Sequence, residues 1–204
     1  MKTRPTRLIA ALILAMGLPP LLAGCGALVV GGATVGAAVA YDRRGAQVVL
    51  DDEVIEFRAR DAYLNHPDIS EHSQLRVTSY SYHVLITGTA ETPEIRDRFA
   101  QLVARVPYVE RVFDEAQVGP MISVGQFAKD KLLASRAKLA IQSIDLPNFD
   151  ALRVKVVVFD SVVYLMGLVS PEEADATVEK VRRIPGVKRV VRAFQDIPES
   201  VAER

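Results

Sequence analysis

Hydrophobic and polar positions from Asp51 onward follow the same order twice, and corresponding segments lie 77 to 79 residues apart. Each copy opens with a helical spacing of apolar residues and continues with two short stretches in which apolar and polar residues alternate. A second helical stretch and a last alternating stretch follow. The recurring segments include VLITG at 84–88 with VYLMG at 163–167, and VPYVERV at 106–112 with IPGVKRV at 184–190. The pattern therefore predicts a tandem repeat whose unit has the order αββαβ.

The periodicity places the elements of the two copies at equivalent positions. It predicts first helices over Asp52–Leu64 and Phe127–Ile144, followed by half-buried strands at Leu75–Tyr80, His83–Thr87, Arg153–Phe159 and Val162–Leu168. A Thr-Pro pair at 92–93 and a Ser-Pro pair at 170–171 provide an N-cap and a first-turn proline for the second helices. Pro107 and Pro185 should end those helices, before last strands at Val109–Val118 and Val187–Phe194. We predict an α+β fold of two small mixed sheets, each with two helices on one face and a right-handed final crossover.

The first 24 residues have the pattern of a signal peptide. A cationic stretch at 1–7 precedes an apolar run of 11 residues at 8–18, which is too short to span a bilayer. The sequence LAGC at 22–25 then resembles the lipobox of bacterial lipoproteins, in which the signal is cleaved before the cysteine. The resemblance implies a diacylglycerol and an N-acyl chain, such as palmitate, on Cys25; an ordinary signal peptide with an incidental cysteine is the alternative. Gly26 stands where an Asp commonly marks inner-membrane retention, and it therefore favours the outer membrane.

The chain divides into six predicted segments. They are a signal peptide at 1–24, a lipidated tether at 25–50, a first domain at 51–118, a linker at 119–126, a second domain at 127–196 and a tail at 197–204. Residues 26–40 are small and apolar, and a transmembrane segment is one interpretation of them. Because the stretch is short and rich in glycine, we interpret it as a flexible or membrane-hugging tether. Several acyl chains on one cysteine would hold the protein stably, at about 0.8 kcal/mol per buried CH₂.

Two motifs of each copy resemble the BON domain of bacterial envelope proteins. These are the central strand that contains a glycine and the later Gly-Val-x-x-Val, which appear in copy two as Val163–Val169 and Pro185–Val190. Copy one departs at Tyr108, which replaces the glycine and disfavours a positive φ in that turn. A lipobox followed by two such domains resembles the dual-BON outer-membrane lipoproteins of Gram-negative bacteria. The resemblance implies a lipid-anchored protein on the periplasmic face of the outer membrane.

Charge is balanced over the whole chain but not between the two copies. The chain has 25 basic and 25 acidic residues, whereas residues 51–118 have 7 basic and 13 acidic, and residues 127–195 have 12 basic and 8 acidic. The overall balance argues against a general nucleic-acid binder, which needs a basic excess. The single cysteine excludes a disulfide framework and a Cys-rich zinc site. The asymmetry suggests that one half of the molecule faces an anionic partner.

The sequence offers little material for catalysis. Its three histidines, His66, His72 and His83, fall in a loop and a hairpin turn of copy one, where Asp68 and Glu71 could complete a metal site. Their spacing matches no ligand signature, so we interpret them as solvated loop histidines and expect no metal. Neither a nucleophile–base pair nor a phosphate loop is recognisable, and we expect no enzyme and no cofactor beyond the lipid on Cys25. The glycines of the central strands, Gly88 and Gly167, indicate close backbone packing.

The first helix of copy two carries two apolar stripes. Leu133, Ala137, Ala140, Ile141 and Ile144 share the face that should meet the core. A narrow second stripe, formed by Ala128, Leu132 and Leu139, lies well away from it. Lys131 and Lys138 flank this stripe on one side, and Lys129 and Arg136 on the other. An apolar stripe between cations suits a membrane interface; contact with copy one and ordinary exposed leucines are the alternatives.

The family resemblance assigns a function to this helix. In the dual-BON lipoproteins the corresponding helix binds anionic phospholipid and often carries a Trp, which Leu132 or Phe127 would replace here. The candidate phospholipid-binding residues are therefore Phe127, Lys129, Lys131, Leu132, Arg136, Lys138 and Leu139. The resemblance implies a non-catalytic role in outer-membrane integrity. The alternative is a protein–protein adaptor whose exposed stripe docks an outer-membrane assembly or a cell-wall or division partner.

Overall fold

The computed structural model describes residues 43–197. The predicted signal peptide, the lipidation of Cys25 and most of the tether and tail lie outside these residues. Between residues 43 and 197, no helix combines the length and the apolar character needed to cross a membrane.

The first copy has the predicted order, with one extra helical turn. Helix α1 (Ala46–Leu64) and the short α2 (Pro67–Ser70) lead into an antiparallel hairpin of β1 (Ser73–Tyr80) and β2 (His83–Ala90). Helix α3 (Pro93–Ala104) then crosses to β3 (Arg111–Asp114) and β4 (Gln117–Val118), which both pair with β2 in parallel.

Several boundaries of the first copy differ from the sequence prediction, and two of the differences have a clear physical cause. Helix α1 starts at Ala46, six residues before the predicted Asp52. Its N-cap is Gly45, which has no side chain, so the sequence carries no N-cap signal at this position. The last strand, predicted as one piece over Val109–Val118, is interrupted after Asp114. There the Asp114 carboxylate accepts a hydrogen bond from the Ala116 amide at 3.1 Å, so this amide bonds locally.

The second copy repeats this arrangement. Helix α4 (Val124–Gln142) and a 3₁₀ turn (Ala151–Arg153) precede the antiparallel pair β5 (Val154–Phe159) and β6 (Val162–Val169). Helix α5 (Pro171–Arg182) then leads to β7 (Arg189–Asp196), which pairs with β6 in parallel. Helix α4 starts three residues before the predicted Phe127, because the hydroxyl of Ser123 accepts from the Gln126 amide and caps the helix there.

The second helices begin as predicted and end earlier. Thr92 and Ser170 are the N-caps, and Glu173 completes a capping box with Ser170. The helices end at Ala104 and Arg182, three residues short of the prolines that were expected to end them. The intervening residues form a turn because a proline disfavours helical geometry at the residue before it.

Each sheet is buried on both faces. One face packs against its own helices, through residues such as Phe99 in copy one and Leu133 in copy two. The other faces of the two sheets share a third core that includes Leu85, Tyr164 and Met166. The central strands β2 and β6 are consequently buried almost throughout, whereas the sequence pattern predicted half-buried strands. That prediction was wrong for β2 and β6 because the second copy covers the face that one domain alone would expose.

Close backbone contacts explain the glycines of the central strands. A Cβ on Gly167 would lie 2.5 Å from the Arg153 carbonyl oxygen, and one on Gly88 would overlap the carbonyl oxygen of Gln74. Gly88 also has a φ of +132°, which side chains rarely allow. The predicted close packing at both glycines is therefore confirmed.

The turn before the last strand is the same in both copies despite the Tyr108 substitution. Tyr108 has a φ of +73° and Gly186 a φ of +99°. The residue after each of them donates a backbone hydrogen bond within the turn, from Val109 to Val106 at 3.3 Å and from Val187 to Ile184 at 3.1 Å. Tyr108 therefore adopts the left-handed conformation that the position requires, at some cost in backbone strain.

Candidate functional site

Helix α4 presents one apolar stripe to the core and another to solvent. Leu133, Ala137 and Ile141 are buried against the sheet. Leu132 and Leu139, which are two turns apart, are 53% and 66% exposed. As the helical periodicity predicted, the two leucines face outward, and their removal would leave the core unchanged.

Four cations surround the exposed leucines. Lys129, Lys131, Arg136 and Lys138 are all exposed. Within residues 43–197, none of the four forms an ion pair, although many other cations do, such as Lys188 with Asp160 at 3.0 Å. The one acidic residue of α4 is Asp130, which is buried, so every exposed charged residue of the helix is a cation.

Phe127 does not belong to the same surface as the leucines. It lies five residues before Leu132, about 140° around the helix. The Arg76 guanidinium of copy one lies 5.0 Å from its ring centroid, and the Lys131 ammonium lies 5.2 Å from it. Phe127 is therefore at the junction of the two copies, where both cations cover its ring. Of the seven candidate residues, Phe127, Lys131 and Lys138 lie on the side of α4 that meets copy one. The leucines have Lys129 and Arg136 beside them on the outer side.

A buried aspartate that was not among the predicted site residues fixes α4 to its hairpin. Asp130 is 3% exposed, and its carboxylate accepts hydrogen bonds from the amides of Asp160 and Ser161 at 2.8 and 2.9 Å. Both turn residues have a positive φ, of 45° and 65°. These bonds hold the β5–β6 turn against the helix and so set the face that α4 exposes.

Copy one has the same device. Asp52, 78 residues earlier, is buried and accepts from the amides of Ser81 and Tyr82 at 2.7 and 2.9 Å. It also accepts from the Ser79 hydroxyl at 2.6 Å and pairs with Arg44 at 2.8 Å. Both residues could have been identified from the sequence, because an aspartate recurs at the repeat spacing on the core side of each first helix.

Polar contacts join the two copies beside their shared core. The Lys155 ammonium pairs with Glu56 at 2.8 Å and donates to the Ser79 carbonyl at 3.0 Å. The Gln195 amide donates to the Tyr80 carbonyl at 3.1 Å, and Arg189 pairs with Glu115 at 3.1 Å. These bonds, together with the core between the sheets, fix the orientation of α4 relative to copy one.

Comparison with known proteins identifies the repeat. The family model described as "BON domain" matches residues 51–120 and 130–195, which together make up most of the chain.

The chain belongs to the BON-domain family.

We name the two matched regions BON1 and BON2. The outer membrane lipoprotein DolP of Haemophilus influenzae is 32% identical over 184 residues, which cover 90% of this chain and 94% of that protein. A 21 kDa hemolysin of Actinobacillus pleuropneumoniae is 32% identical over 155 residues, or 75% of this chain and 78% of that one. The relationship to DolP places the protein among the outer-membrane lipoproteins with BON domains.

A solved structure of the C-terminal domain of CdsD, a structural protein of the type III secretion system of Chlamydia trachomatis, also aligns. It shares 17% sequence identity over 72% of this chain and 67% of that chain, with a TM-score of 0.28. This similarity is too low to support an argument.

The histidines of BON1 do not converge on a site. His66 bonds to the Ala62 carbonyl at 2.6 Å, and His72 to Glu91 at 2.9 Å, both through Nδ1. His83 lies in β2 rather than in the hairpin turn, where burial, aided by Arg111, lowers its pKa. In the part of the chain that the structure describes, no three His, Cys, Asp or Glu residues are grouped as metal ligands.

Helix α1 of BON1 exposes apolar residues as well, but its charged residues differ from those of α4. Leu50, Val54, Phe57 and Leu64 are 61%, 38%, 71% and 59% exposed and lie on one face of the helix. Helix α1 has five acidic and two basic residues, whereas α4 has four basic and one acidic. The two helices therefore have opposite net charge, but the exposed charged residues of α1 are mixed, Glu53 and Asp61 with Arg58 and Arg60, whereas those of α4 are all basic.

Proposed function

We propose that this outer-membrane lipoprotein is a non-catalytic protein of the periplasmic face, which binds anionic phospholipid through BON2 and supports outer-membrane integrity. The observation that carries the proposal is the exposed pair Leu132 and Leu139, surrounded by four cations that form no ion pair within residues 43–197. We name these six residues the α4 surface.

The physical chemistry of the α4 surface fits the headgroup region of a bilayer. Each leucine side chain that moves from water into the acyl boundary contributes about 1.5–3 kcal/mol when fully buried. Each Lys or Arg close to an anionic bilayer contributes about 1 kcal/mol. Acyl chains on Cys25 would keep BON2 near the bilayer at high effective concentration, so the α4 surface would mainly set the orientation of the protein.

Vesicle co-sedimentation of the unacylated chain from residue 41 tests the proposal. We expect the parent to sediment with vesicles that contain phosphatidylglycerol and not with phosphatidylcholine alone. Replacing both Leu132 and Leu139 by Asp should abolish sedimentation without unfolding, as circular dichroism would show, because both residues are exposed. The matched control replaces Leu50 and Phe57 of α1 by Asp and should sediment like the parent. If the folded α4 variant bound as well as the parent, the membrane proposal would be wrong.

The lipid anchor has its own test. Changing Cys25 to Ala removes the only thiol of the chain and should abolish acylation and leave the protein uncleaved or mislocalised. Metabolic labelling with palmitate and membrane fractionation measure both effects. Normal outer-membrane fractionation of this variant would contradict the anchor.

A second candidate function is a protein–protein adaptor, and the surface of α1 favours it. An anionic bilayer would repel the acidic residues around Phe57 and Leu64, so this face suits a cationic amphipathic segment of an outer-membrane assembly or cell-wall partner. Replacing Phe57 and Leu64 by Asp should then increase outer-membrane permeability in cells while vesicle binding is unchanged. Unchanged permeability at equal protein level would remove this candidate.

A further inference from the structure

A cavity of about 360 Å³ lies where β1 of BON1, β5 of BON2 and helix α4 meet. Its volume falls in the range of small-molecule sites. Gln74, Arg76 and Thr87 line it from the BON1 sheet, and Lys131 and Lys138 from α4. It adjoins the core between the two sheets, since Val157 and Phe159 contribute to both. The cavity therefore has an apolar side within the molecule and a polar side beneath α4.

The charge of the cavity lining is positive, because its cations outnumber its carboxylates. Arg76, Lys131 and Lys138 form no ion pair within residues 43–197, whereas Lys155, which also lines the cavity, is paired with Glu56. Asp130 is the one carboxylate among the described lining residues. Both of its oxygens accept hydrogen bonds from the β5–β6 turn, and its single charge leaves the cations of the lining in excess. An anion in the cavity would supply the missing charge.

The polar residues of the BON1 sheet give the cavity a second feature that a ligand would have to match. Gln74, Arg76 and Thr78 lie on the face of β1 that turns toward BON2, and Thr87 lies directly opposite Arg76 on β2. The side-chain carbonyl oxygen of Gln74 is buried and has no hydrogen-bond partner within the described residues. A buried acceptor without a donor costs about 1–3 kcal/mol, so a ligand hydroxyl at this position would be stabilised. The cavity thus combines a site for an anion with an acceptor for a hydroxyl group.

We propose that this cavity binds a phosphate ester that carries a polyol, of the glycerophosphate type. The cations of Arg76 and Lys131 contact the phosphate, and Gln74 accepts from a hydroxyl of the polyol. The ligand is either the headgroup of a phospholipid or a soluble glycerol phosphate. The proposal rests on the proposed function in one respect, because Lys131 and Lys138 also belong to the α4 surface. Leu132 and Leu139 do not line the cavity, so insertion and headgroup recognition are separable.

The involvement of Arg76 makes headgroup recognition a property of both domains. Arg76 belongs to β1 of BON1 and its guanidinium stacks on Phe127 of α4, which holds it at the entrance between the domains. BON2 binds the bilayer through the leucines, and BON1 contributes the specificity for the headgroup. This assigns a role to BON1 that its acidic surface alone would not indicate.

The experiment uses the mature chain from residue 25 with Cys25→Ser, labelled for NMR and titrated with sn-glycerol 3-phosphate or with inorganic phosphate. The amide signals of Thr78, Thr87 and Ser135 should shift and saturate with glycerol phosphate, and inorganic phosphate should bind more weakly. Arg76→Gln, an exposed substitution, should weaken binding of glycerol phosphate by about tenfold or more. Arg58→Gln, an exposed charge-matched control on α1, should bind like the parent.

A vesicle arm distinguishes the two sources of the ligand and separates the two proposals. The parent should prefer phosphatidylglycerol to phosphatidylserine at equal charge, and Arg76→Gln should lose this preference while it still sediments. If the lipid preference depends on Arg76 but glycerol phosphate in solution does not bind, the ligand is the headgroup within a bilayer. The Leu132→Asp and Leu139→Asp double variant should no longer bind vesicles but should still bind glycerol phosphate. If soluble binding fails to saturate and Arg76→Gln leaves the lipid preference unchanged, the cavity proposal is wrong, whatever the leucine variant does.

Discussion

The first helices of BON1 and BON2 occupy equivalent places on their sheets, yet the charges that they expose differ. Helix α1 exposes two acidic and two basic residues, whereas every exposed charged residue of α4 is basic. Helix α1 has three more acidic than basic residues, and α4 has three more basic than acidic. Both helices expose large apolar side chains, and both bury one aspartate that bonds to the hairpin turn. The two domains can therefore be compared directly. We expect the residues that both domains share to be needed for the fold, and the residues that differ to serve function.

The shared features all act on the backbone. The buried aspartates satisfy turn amides, the central glycines allow two strands to approach closely, and the Thr or Ser caps begin the second helices. The features that differ are side chains in solvent, and among them are the four cations of α4 that form no ion pair within residues 43–197. This division is why we place lipid binding on α4 and not on the equivalent α1.

The largest expected effect tests the shared part of the comparison. Changing Asp52 or Asp130 to Ala leaves two turn amides of the respective hairpin without an acceptor, at about 1–3 kcal/mol each. We expect each variant to lose about 3 kcal/mol in the free energy of unfolding, measured by urea denaturation. Asp52→Ala should lose more, because Asp52 also bonds to Ser79 and pairs with Arg44.

The control for this prediction is Asp61→Ala, an exposed substitution on α1 that should change stability by less than about 0.5 kcal/mol. A loss below about 1 kcal/mol in either buried variant would show that the turn amides find other partners, and the two domains would then not share this device.

Much of the fold could be predicted from the sequence because its signals are local. The repeat, the helix caps and the order αββαβ follow from periodicity and from Thr-Pro and Ser-Pro pairs, and the structure confirms them. The outward direction of Leu132 and Leu139 also follows, since helical spacing alone separates them from the core stripe. These predictions needed no knowledge of how the two copies meet.

The remaining features depend on contacts between distant residues. The back-to-back sheets bury both faces of β2 and β6, and nothing in the pattern of one copy indicates a second sheet. Phe127 was assigned to the lipid-binding set, but Arg76, which is 51 residues earlier in the chain, stacks on it from BON1. The cavity beneath α4 arises from the same meeting of domains, so helical periodicity could not reveal it.

A smaller effect is expected from changing the exposed cations of α4, which α1 does not share. Lys129 and Arg136 flank the leucines and do not line the cavity, so their reversal to Glu changes the α4 surface alone. Because each cation contributes about 1 kcal/mol at an anionic bilayer, we expect affinity for phosphatidylglycerol vesicles to fall by roughly 30-fold or more. Vesicle titrations at low and at high salt measure this, and the difference should shrink as salt screens the charges.

The control for charge reversal is made on α1. Replacing Glu53 and Asp61 by Lys alters the net charge of the protein equally but with opposite sign, on a face that we expect to lie away from the bilayer. Its effect on vesicle affinity should be severalfold smaller than that of the α4 reversal. Equal and opposite effects would mean that only net charge matters, and the contrast between the two helices would lose its functional meaning.

The smallest expected effect concerns the one turn in which the copies differ in sequence. Tyr108 has a φ of +73°, where a residue with a side chain costs about 1–2 kcal/mol, while Gly186 adopts the equivalent conformation without that cost. Changing Tyr108 to Gly removes the strain but increases the backbone freedom of the unfolded chain by about 0.5–1 kcal/mol, so the net gain should be about 0.5 kcal/mol. The ring is 59% exposed, and its loss should subtract little. The reciprocal change, Gly186→Tyr, introduces the strain into BON2 but reduces the freedom of the unfolded chain, so it should cost about 0.5 kcal/mol. Urea denaturation measures the change in the free energy of unfolding for both variants. A clear loss of stability in Tyr108→Gly would show that the ring of Tyr108 contributes packing to BON1 that offsets its backbone strain.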